Sequence, residues 1–342
     1  MIPRLQIIFP LKQQKIFWCG EMYTPRKEEY LINHARSGIV MALRATLPQG
    51  GRVGVVAYNC HTVANAIVQA GCTPVFLDVT EDLHIDTADI ARKTMDAIVV
   101  TNLFGIHNDI AAIQQILDKK TPIIVDNAHG YGLPAEGDFT VYSINQGKFP
   151  ALGEGGILVV NSQQYVASIN QQYEQLPIYT KLQEAKLFLT MLLKALLHTP
   201  IIYKLVTMRL KAGRTIGNCR KTTPLKKIAK GISRMYHAVL PNIEQQMTHQ
   251  RSNAQEMKMS LTLKDGVRFV WTGENAFMLI VRCQDPQVLK QYLATQGIET
   301  ATHFANTIAW IKQFGYLLGS CPMVEQLTRE LLMIPTYKNI KL

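Results

Sequence analysis

The sequence predicts an α/β chain: a large domain on a mostly parallel sheet flanked by helices, a helical insertion, and a small α+β C-terminal domain. Three observations carry this expectation. Apolar runs of strand length recur between Val53 and Val160, separated by stretches with helical spacing, and such alternation builds parallel strands joined by crossover helices. From Asn161 the composition changes, and a basic, leucine-rich stretch follows. Strand signals then return on a smaller scale, at Val267 to Trp271 and Ala276 to Val281, ahead of a helix from Pro286 to Gln296. At 342 residues the chain is long enough for one large and one smaller unit. The expected divisions are 1–165, 166–235 and 236–342.

Taken in order, Leu31, Ile32, Ile39, Val40, Leu43 and Leu47 fall at helical spacing, which predicts helix between Tyr30 and Leu47 with its start near Ser37-Gly38. A buried strand, Val53 to Tyr58, leads through Asn59-Cys60-His61 into a helix from Thr62 to Ala70. Turn, strand and loop follow from Gly71 to Asp78. The strand Ala97 to Thr101 ends at Asn102-Leu103-Phe104-Gly105, and a helix from Asp109 to Asp118 precedes the run Pro122 to Val125. That run ends in Asp126-Asn127-Ala128-His129. Next come a strand at Thr140 to Tyr142, Ser143, Lys148 in a turn, Gly153-Glu154-Gly155-Gly156, and a strand to Val160. Ligands sit at the carboxyl ends of parallel strands, where Asp126 and the His61 and Asn102 loops all lie.

Charge separates the chain into two parts. Between Lys181 and Met235 stand thirteen Lys or Arg against one acid, Glu184, a net +12, which leaves the rest of the +11 chain at −1. The remaining body therefore needs no nucleic acid or other anionic polymer as partner. In Leu187 to His198 the polar positions Lys186, Thr190, Lys194 and His198 recur every four residues, giving a helix with a narrow polar stripe and a wide apolar face. Pro200 interrupts it before the pattern resumes at Ile201 to Lys211. Two readings stand: helices packed against a partner subunit, or a basic amphipathic pair lying on an anionic membrane. A long helix from Met235 to Ala254, kinked at Pro241, links to the small domain.

Six cysteines, Cys19, Cys60, Cys72, Cys219, Cys283 and Cys321, form no Cys-x-x-Cys pair. Neither structural zinc nor a disulfide framework is expected, and the usage fits the cytoplasm. The N-terminal apolar run is interrupted by Lys12 and Lys15 and lacks a signal-peptide cleavage pattern.

The chemistry concentrates between Asp126 and Gly156. A strand ending in aspartate, followed by a lysine in a turn before glycines, suits pyridoxal 5'-phosphate. The lysine amine bonds to the cofactor aldehyde, and the carboxylate keeps the pyridine nitrogen protonated.

This stretch resembles the DegT/StrS-type sugar aminotransferases, pyridoxal phosphate enzymes of the aspartate aminotransferase fold (fold type I). Their pattern Asp-x-Ala-(His or Gln), Ser-Phe-x-x-x-Lys, Gly-Glu-Gly-Gly is matched by Asp126, Ala128, His129, Ser143, Lys148 and Gly153 to Gly156; Ile144 stands where phenylalanine is usual. The resemblance runs from about Tyr30 to Tyr337, apart from the basic insertion. It implies that Lys148 is the covalent residue and proton shuttle, that Asp126 pairs with the pyridine nitrogen, and that His129 lies near the phenolic oxygen. His61 falls where the family stacks an aromatic ring on the cofactor; capping of the following helix is the alternative. Arg36 and Ser37, at the start of the first helix, and Ser143 would hold the phosphate, joined by Asn218 from the partner subunit of a homodimer. Arg36 replaces the family's usual threonine or small residue and either clamps the phosphate or caps the surface.

Asn218-Cys219-Arg220 resembles the family's Asn-Tyr-Arg, and Gly297 to His303 its Gly-Ile-x-Thr-x-x-His, which places Arg220 and His303 near the substrate. Asn306 stands where proline is usual. The implied reaction moves an amino group from an amino acid, glutamate, to a keto-sugar nucleotide in surface-polysaccharide or related amino-sugar biosynthesis. Two other readings compete. Relatives that dehydrate sugars tend to replace the lysine by histidine, which Lys148 opposes; a non-catalytic, membrane-attached scaffold is opposed by the Asp126 and Lys148 pair.

Overall fold

The computed structural model describes residues 28–197, 218–261, 267–270, 273, 275–296, 298 and 300–336. The expected helix at Ile201 to Lys211, Trp271, Gly297 and Tyr337 lie outside them.

A seven-stranded sheet organises the first half. Its strands are β1 (Glu29–Ile32), β2 (Arg52–Val56), β3 (Thr73–Leu77), β4 (Ala97–Thr101), β5 (Ile123–Asn127), β6 (Phe139–Ser143) and β7 (Gly156–Val160). They stand in the order β1-β7-β6-β5-β4-β2-β3. The pairs from β6 through β5, β4 and β2 to β3 are parallel, whereas β7 runs antiparallel to both β6 and β1. Every residue of β4 and β5 is buried, as a strand covered on both faces requires. The covering helices are α1 (Ala35–Thr46), α2 (His61–Gln69), α3 (Thr87–Arg92) and α4 (Ile110–Ile116).

Two local expectations are corrected. Residues 30–32 form edge strand β1, not helix: Tyr30 and Ile32 point inward while the backbone pairs with β7. A run this short satisfies both periodicities, and the β7 ladder decides. Helix α1 begins at Ala35, two residues before Ser37, and the preceding His34 makes no side-chain cap bond. Gly156 sets this corner, because a Cβ there would overlap the backbone of His34 and Ala35.

Parts of the segment 166–235 pack on the helical layer of the large sheet. Helix α5 (Val166–Glu174) is built onto α1, with Ile169 fully buried. The Tyr30 hydroxyl donates to Asn170 Oδ1 at 2.7 Å, and Gln172 Nε2 to the Met41 carbonyl at 3.1 Å. Residues 221–228 cross the same layer: Asn65 Nδ2 donates to the Lys221 carbonyl at 2.7 Å, and Ile228 N to the Leu31 carbonyl at 3.1 Å. Between them lies helix α6 (Lys181–Leu197).

Helices α7 (Lys230–Val239) and α8 (Ile243–Leu261) meet at a tight turn, Leu240–Asn242, that contains Pro241. A missing N–H and a fixed φ make that break. The second sheet is antiparallel, in the order β10 (Leu331–Pro335), β9 (Met278–Cys283), β8 (Val267–Val270). Helix α9 (Pro286–Thr295) covers it, its N-terminus capped by Asp285, which accepts from Gln287 N and Val288 N. Helices α10 (Thr307–Ile311) and α11 (Pro322–Glu330) complete the chain. Val270, Ile280 and Met333 join the core of the large sheet, so the small sheet packs on the large one. Among the described residues no helix is long and apolar enough to cross a membrane.

Candidate active site

The polar edge of the large sheet starts from strand register. Thr101 on β4 pairs with Asp126 on β5, so both side chains emerge on one face at the carboxyl end. Asn59, just past β2, donates from Nδ2 to Thr101 Oγ1 at 2.9 Å, and that hydroxyl donates to Asp126 Oδ2 at 3.5 Å. Asp126 Oδ1 accepts the Ala128 N–H at 3.0 Å. The carboxyl group is thus held at both oxygens while only 2 % exposed. Burial pushes its pKa up, against the opposing pull of the Ala128 N–H, the Lys148 charge and the Thr101 hydroxyl.

Lys148 sits on the turn between β6 and β7. That turn is tied internally by Lys148 N to the Asn145 carbonyl, Gln146 N to the Gly153 carbonyl, and Gly155 N to Asn145 Oδ1. Its amine meets His129 Nε2. The other imidazole nitrogen, Nδ1, accepts the Phe104 N–H at 3.3 Å. Phe104 and Phe304 both stack on the imidazole, with centroids at 5.2 and 6.0 Å. Burial lowers the basicity of both groups. For Lys148 it outweighs the opposing pull of Cys60 and Asp126; for His129 the neighbouring Lys148 and His303 lower it further.

A second, electropositive corner forms where α1 begins. The Arg36 guanidinium is partly buried, and its Nε has no hydrogen-bond partner. His61, the first residue of α2, packs edge-on against Trp310 at 5.1 Å, and its Nδ1 is likewise unpartnered. Burial and then the Arg36 charge push His61 below its ordinary pKa, and the same causes lower His34 to about 4, with Asn145 opposing. Cys60 stands close enough to act electrostatically on both Arg36 and Lys148, which joins this corner to the lysine.

The expected residues thus fall into three groups. Asp126, His129 and Lys148 come together, as do Arg36 and His61 beside them. His303 joins the first group: its ring lies 6.3 Å from Phe104, and its carbonyl accepts the Tyr58 hydroxyl at 2.9 Å. Ser143 is buried, its Oγ accepting the Asn145 N–H at 3.4 Å. The buried Ser37 hydroxyl, at the start of α1, donates to Asn33 Oδ1 at 2.9 Å. Arg220 lies against the turn after α10, donating from Nε to the Gln313 carbonyl at 2.7 Å and covering the Phe314 ring. Asn218 is exposed, its Oδ1 accepting the Arg220 N–H.

Sequence reasoning missed Phe104, Phe304, Thr101 and Asn275. Asn275 Nδ2 donates to the His129 carbonyl at 2.7 Å. Phe104 adopts a left-handed φ of 54°; its place next to Gly105 at a strand end was the available signal.

An unpartnered buried guanidinium nitrogen near a helix N-terminus fits a phosphate. A buried carboxyl group and an amine of lowered basicity nearby fit a pyridine nitrogen and an aldehyde. On these residues the site fits pyridoxal phosphate.

The comparisons agree. Residues 23–181 match the model of the DegT/DnrJ/EryC1/StrS aminotransferase family. That match covers a little under half of the chain. Similar curated proteins include GDP-perosamine synthase of Vibrio cholerae, 25% identical over 40% of this chain and 41% of its own. The dTDP-4-amino-4,6-dideoxy-D-glucose transaminase of Shigella dysenteriae is 29% identical over 41% of each chain. The spore coat polysaccharide biosynthesis protein SpsC of Bacillus subtilis is 27% identical over 42% of this chain and 40% of its own. The chain therefore spans about two fifths of the length of the curated relatives it matches. Among solved structures, the sugar aminotransferase CalS13 from Micromonospora echinospora superposes with a TM-score of 0.68 at 17% identity, covering 90% of this chain and 82% of that one. The sugar aminotransferase Spr1654 from Streptococcus pneumoniae, described as putative and in its PMP form, gives 0.70 at 16%, covering 92% and 84%. A large, mostly parallel sheet with flanking helices is the fold that these solved structures share with this chain.

Proposed function

We propose that the chain is a pyridoxal phosphate-dependent aminotransferase that passes an amino group from an amino acid, glutamate, to a keto group on a nucleotide-linked sugar. The observation that carries this reading is the juxtaposition of Lys148, His129 and Asp126 at the carboxyl end of the sheet. When bound, the cofactor supplies a covalent attachment point and an electron sink for the substrate carbon.

The chain's own residues do the rest. Asp126, its carboxyl group aligned by Thr101 and the Ala128 N–H, would hold the pyridine nitrogen in its protonated form. Lys148 would hold and give back a proton at Nζ, its basicity lowered by burial. His129 holds that amine in place. Arg36 binds the phosphate with Ser143, and the α1 N-terminus adds backbone donors. His61 would stack on the pyridine ring. Phe104 and Phe304 keep water from His129 and Lys148.

In a homodimer Asn218 reaches the partner's phosphate, and Arg220 and His303 contact the sugar nucleotide. The transaminase and sugar-nucleotide names of the similar curated proteins support this substrate class. The spore coat polysaccharide protein supports the pathway context.

The test is transamination by the purified protein, loaded with cofactor, using glutamate and a panel of keto-sugar nucleotides, with amino-sugar and 2-oxoglutarate formation both measured. Equal formation of the two products from one panel member is the expected result. Cofactor binding without transfer to any member would overturn the substrate class, and absence of cofactor binding would overturn the activity.

A further inference from the structure

Helix α6 has two apolar faces, and the site uses only one. Leu187, Phe188 and Met191 turn inward, onto a cluster that holds Ile144, Phe149 and Leu152 of the lysine loop. On the other side Leu182, Leu189, Leu192, Leu193 and Leu196 are between 47% and 80% exposed. At roughly 100° per residue these five share one arc of roughly 100°, opposite the inward face. Lys181 borders the arc on one side and Lys186 on the other, both exposed.

We propose that this face docks on the surface of an anionic lipid bilayer, with α6 lying in the plane of the interface. Aliphatic leucines enter the acyl boundary, and lysines on both borders extend their stems along it while their ammonium groups reach lipid phosphates. Charge selects this occupant. Lys181 to Met235 carries thirteen basic residues against one acid, a complement to anionic lipid.

Docking would also bring the site close to the lipid. Lys194 Nζ donates to Gln146 Oε1 at 3.0 Å, so α6 holds the loop that carries Lys148 from the side facing the bilayer.

The experiment is co-sedimentation of the full-length protein with phosphatidylcholine vesicles, with and without phosphatidylglycerol, at low and high salt. It is run beside the double variant Leu192→Glu, Leu196→Glu and size-exclusion chromatography of both proteins. At low salt, partitioning onto the phosphatidylglycerol vesicles should exceed that onto neutral ones by about tenfold or more. Salt should weaken it, and the double variant should lose it by about tenfold or more with unchanged elution and melting temperature. No sedimentation of the wild type at low salt would overturn the proposal. So would a wild-type oligomer that the double variant dissociates, which would assign the face to a second copy. Vesicle binding untouched by the double variant would place the lipid contact elsewhere and overturn it as well.

Discussion

The Lys148 amine faces His129 Nε2, while His129 Nδ1 accepts the Phe104 N–H at 3.3 Å. A neutral imidazole that accepts at one nitrogen carries its proton on the other. The shared proton therefore belongs to Nε2, and the lysine must offer a lone pair. The lowered basicity of both groups, caused first by burial, agrees with this assignment.

A stability measurement follows from the sign of that shift. Unfolded, Lys148 returns to its ordinary value of 10.5. Between the lowered folded value and 10.5 the unfolded chain holds a proton that the folded chain does not, so stability rises with pH through that window. His129 adds the same sign between its folded value and 6.5; Asp126, raised above 3.8, has the opposite sign in its own acidic window. Cofactor-free Lys148→Met should melt above the wild type at neutral pH, with the gap closing as pH approaches 10.5. A gap that does not change with pH would contradict the uncharged lysine.

Arg36 gives a second test. Replacing it by Gln removes a charge-assisted phosphate contact of about 1.5–3 kcal/mol, so cofactor affinity should fall by about tenfold to a hundredfold in an absorbance titration. His34, lowered to about 4 by burial and by Arg36, should titrate at higher pH in the cofactor-free variant, as read by NMR. An unchanged affinity would return Arg36 to the surface-capping role.

Asp126→Asn keeps the Ala128 N–H and Thr101 contacts possible while removing the charge. It should bind cofactor, with transamination reduced by about 10²–10⁴-fold. Wild-type turnover would make the aspartate structural only.

Gly156→Ala probes the corner between β7 and α1. The added methyl would overlap the His34 and Ala35 backbone, and overpacking of this kind costs about 1–3 kcal/mol. Thermal unfolding should shift down, and cofactor affinity should fall with it because α1 and the lysine turn separate. A variant as stable as the wild type would show that the corner is not tightly packed.

The parallel strands and the polar edge were legible because such strands leave strong local marks: β4 and β5 are continuous apolar runs that end in polar residues. Edge strand β1 was not legible, since its four residues fit helix or strand and only β7 decides between them. The Lys148, Asp126 and His129 group was readable from order along the chain. The contacts of Phe304 and Asn275 were not, because they come from residues more than a hundred positions away. The wide apolar character of α6 was visible in its four-residue polar spacing, while its division into an inward and an outward face depends on where Met191 packs.

The central claim is that Lys148 is the residue that holds the cofactor. It is tested most directly by borohydride reduction of the cofactor-loaded protein, followed by peptide mass mapping. The account predicts a pyridoxyl group on the peptide containing Lys148 and on no other, with none incorporated in Lys148→Ala. Stoichiometric labelling of a different lysine, or full incorporation in Lys148→Ala, would contradict it.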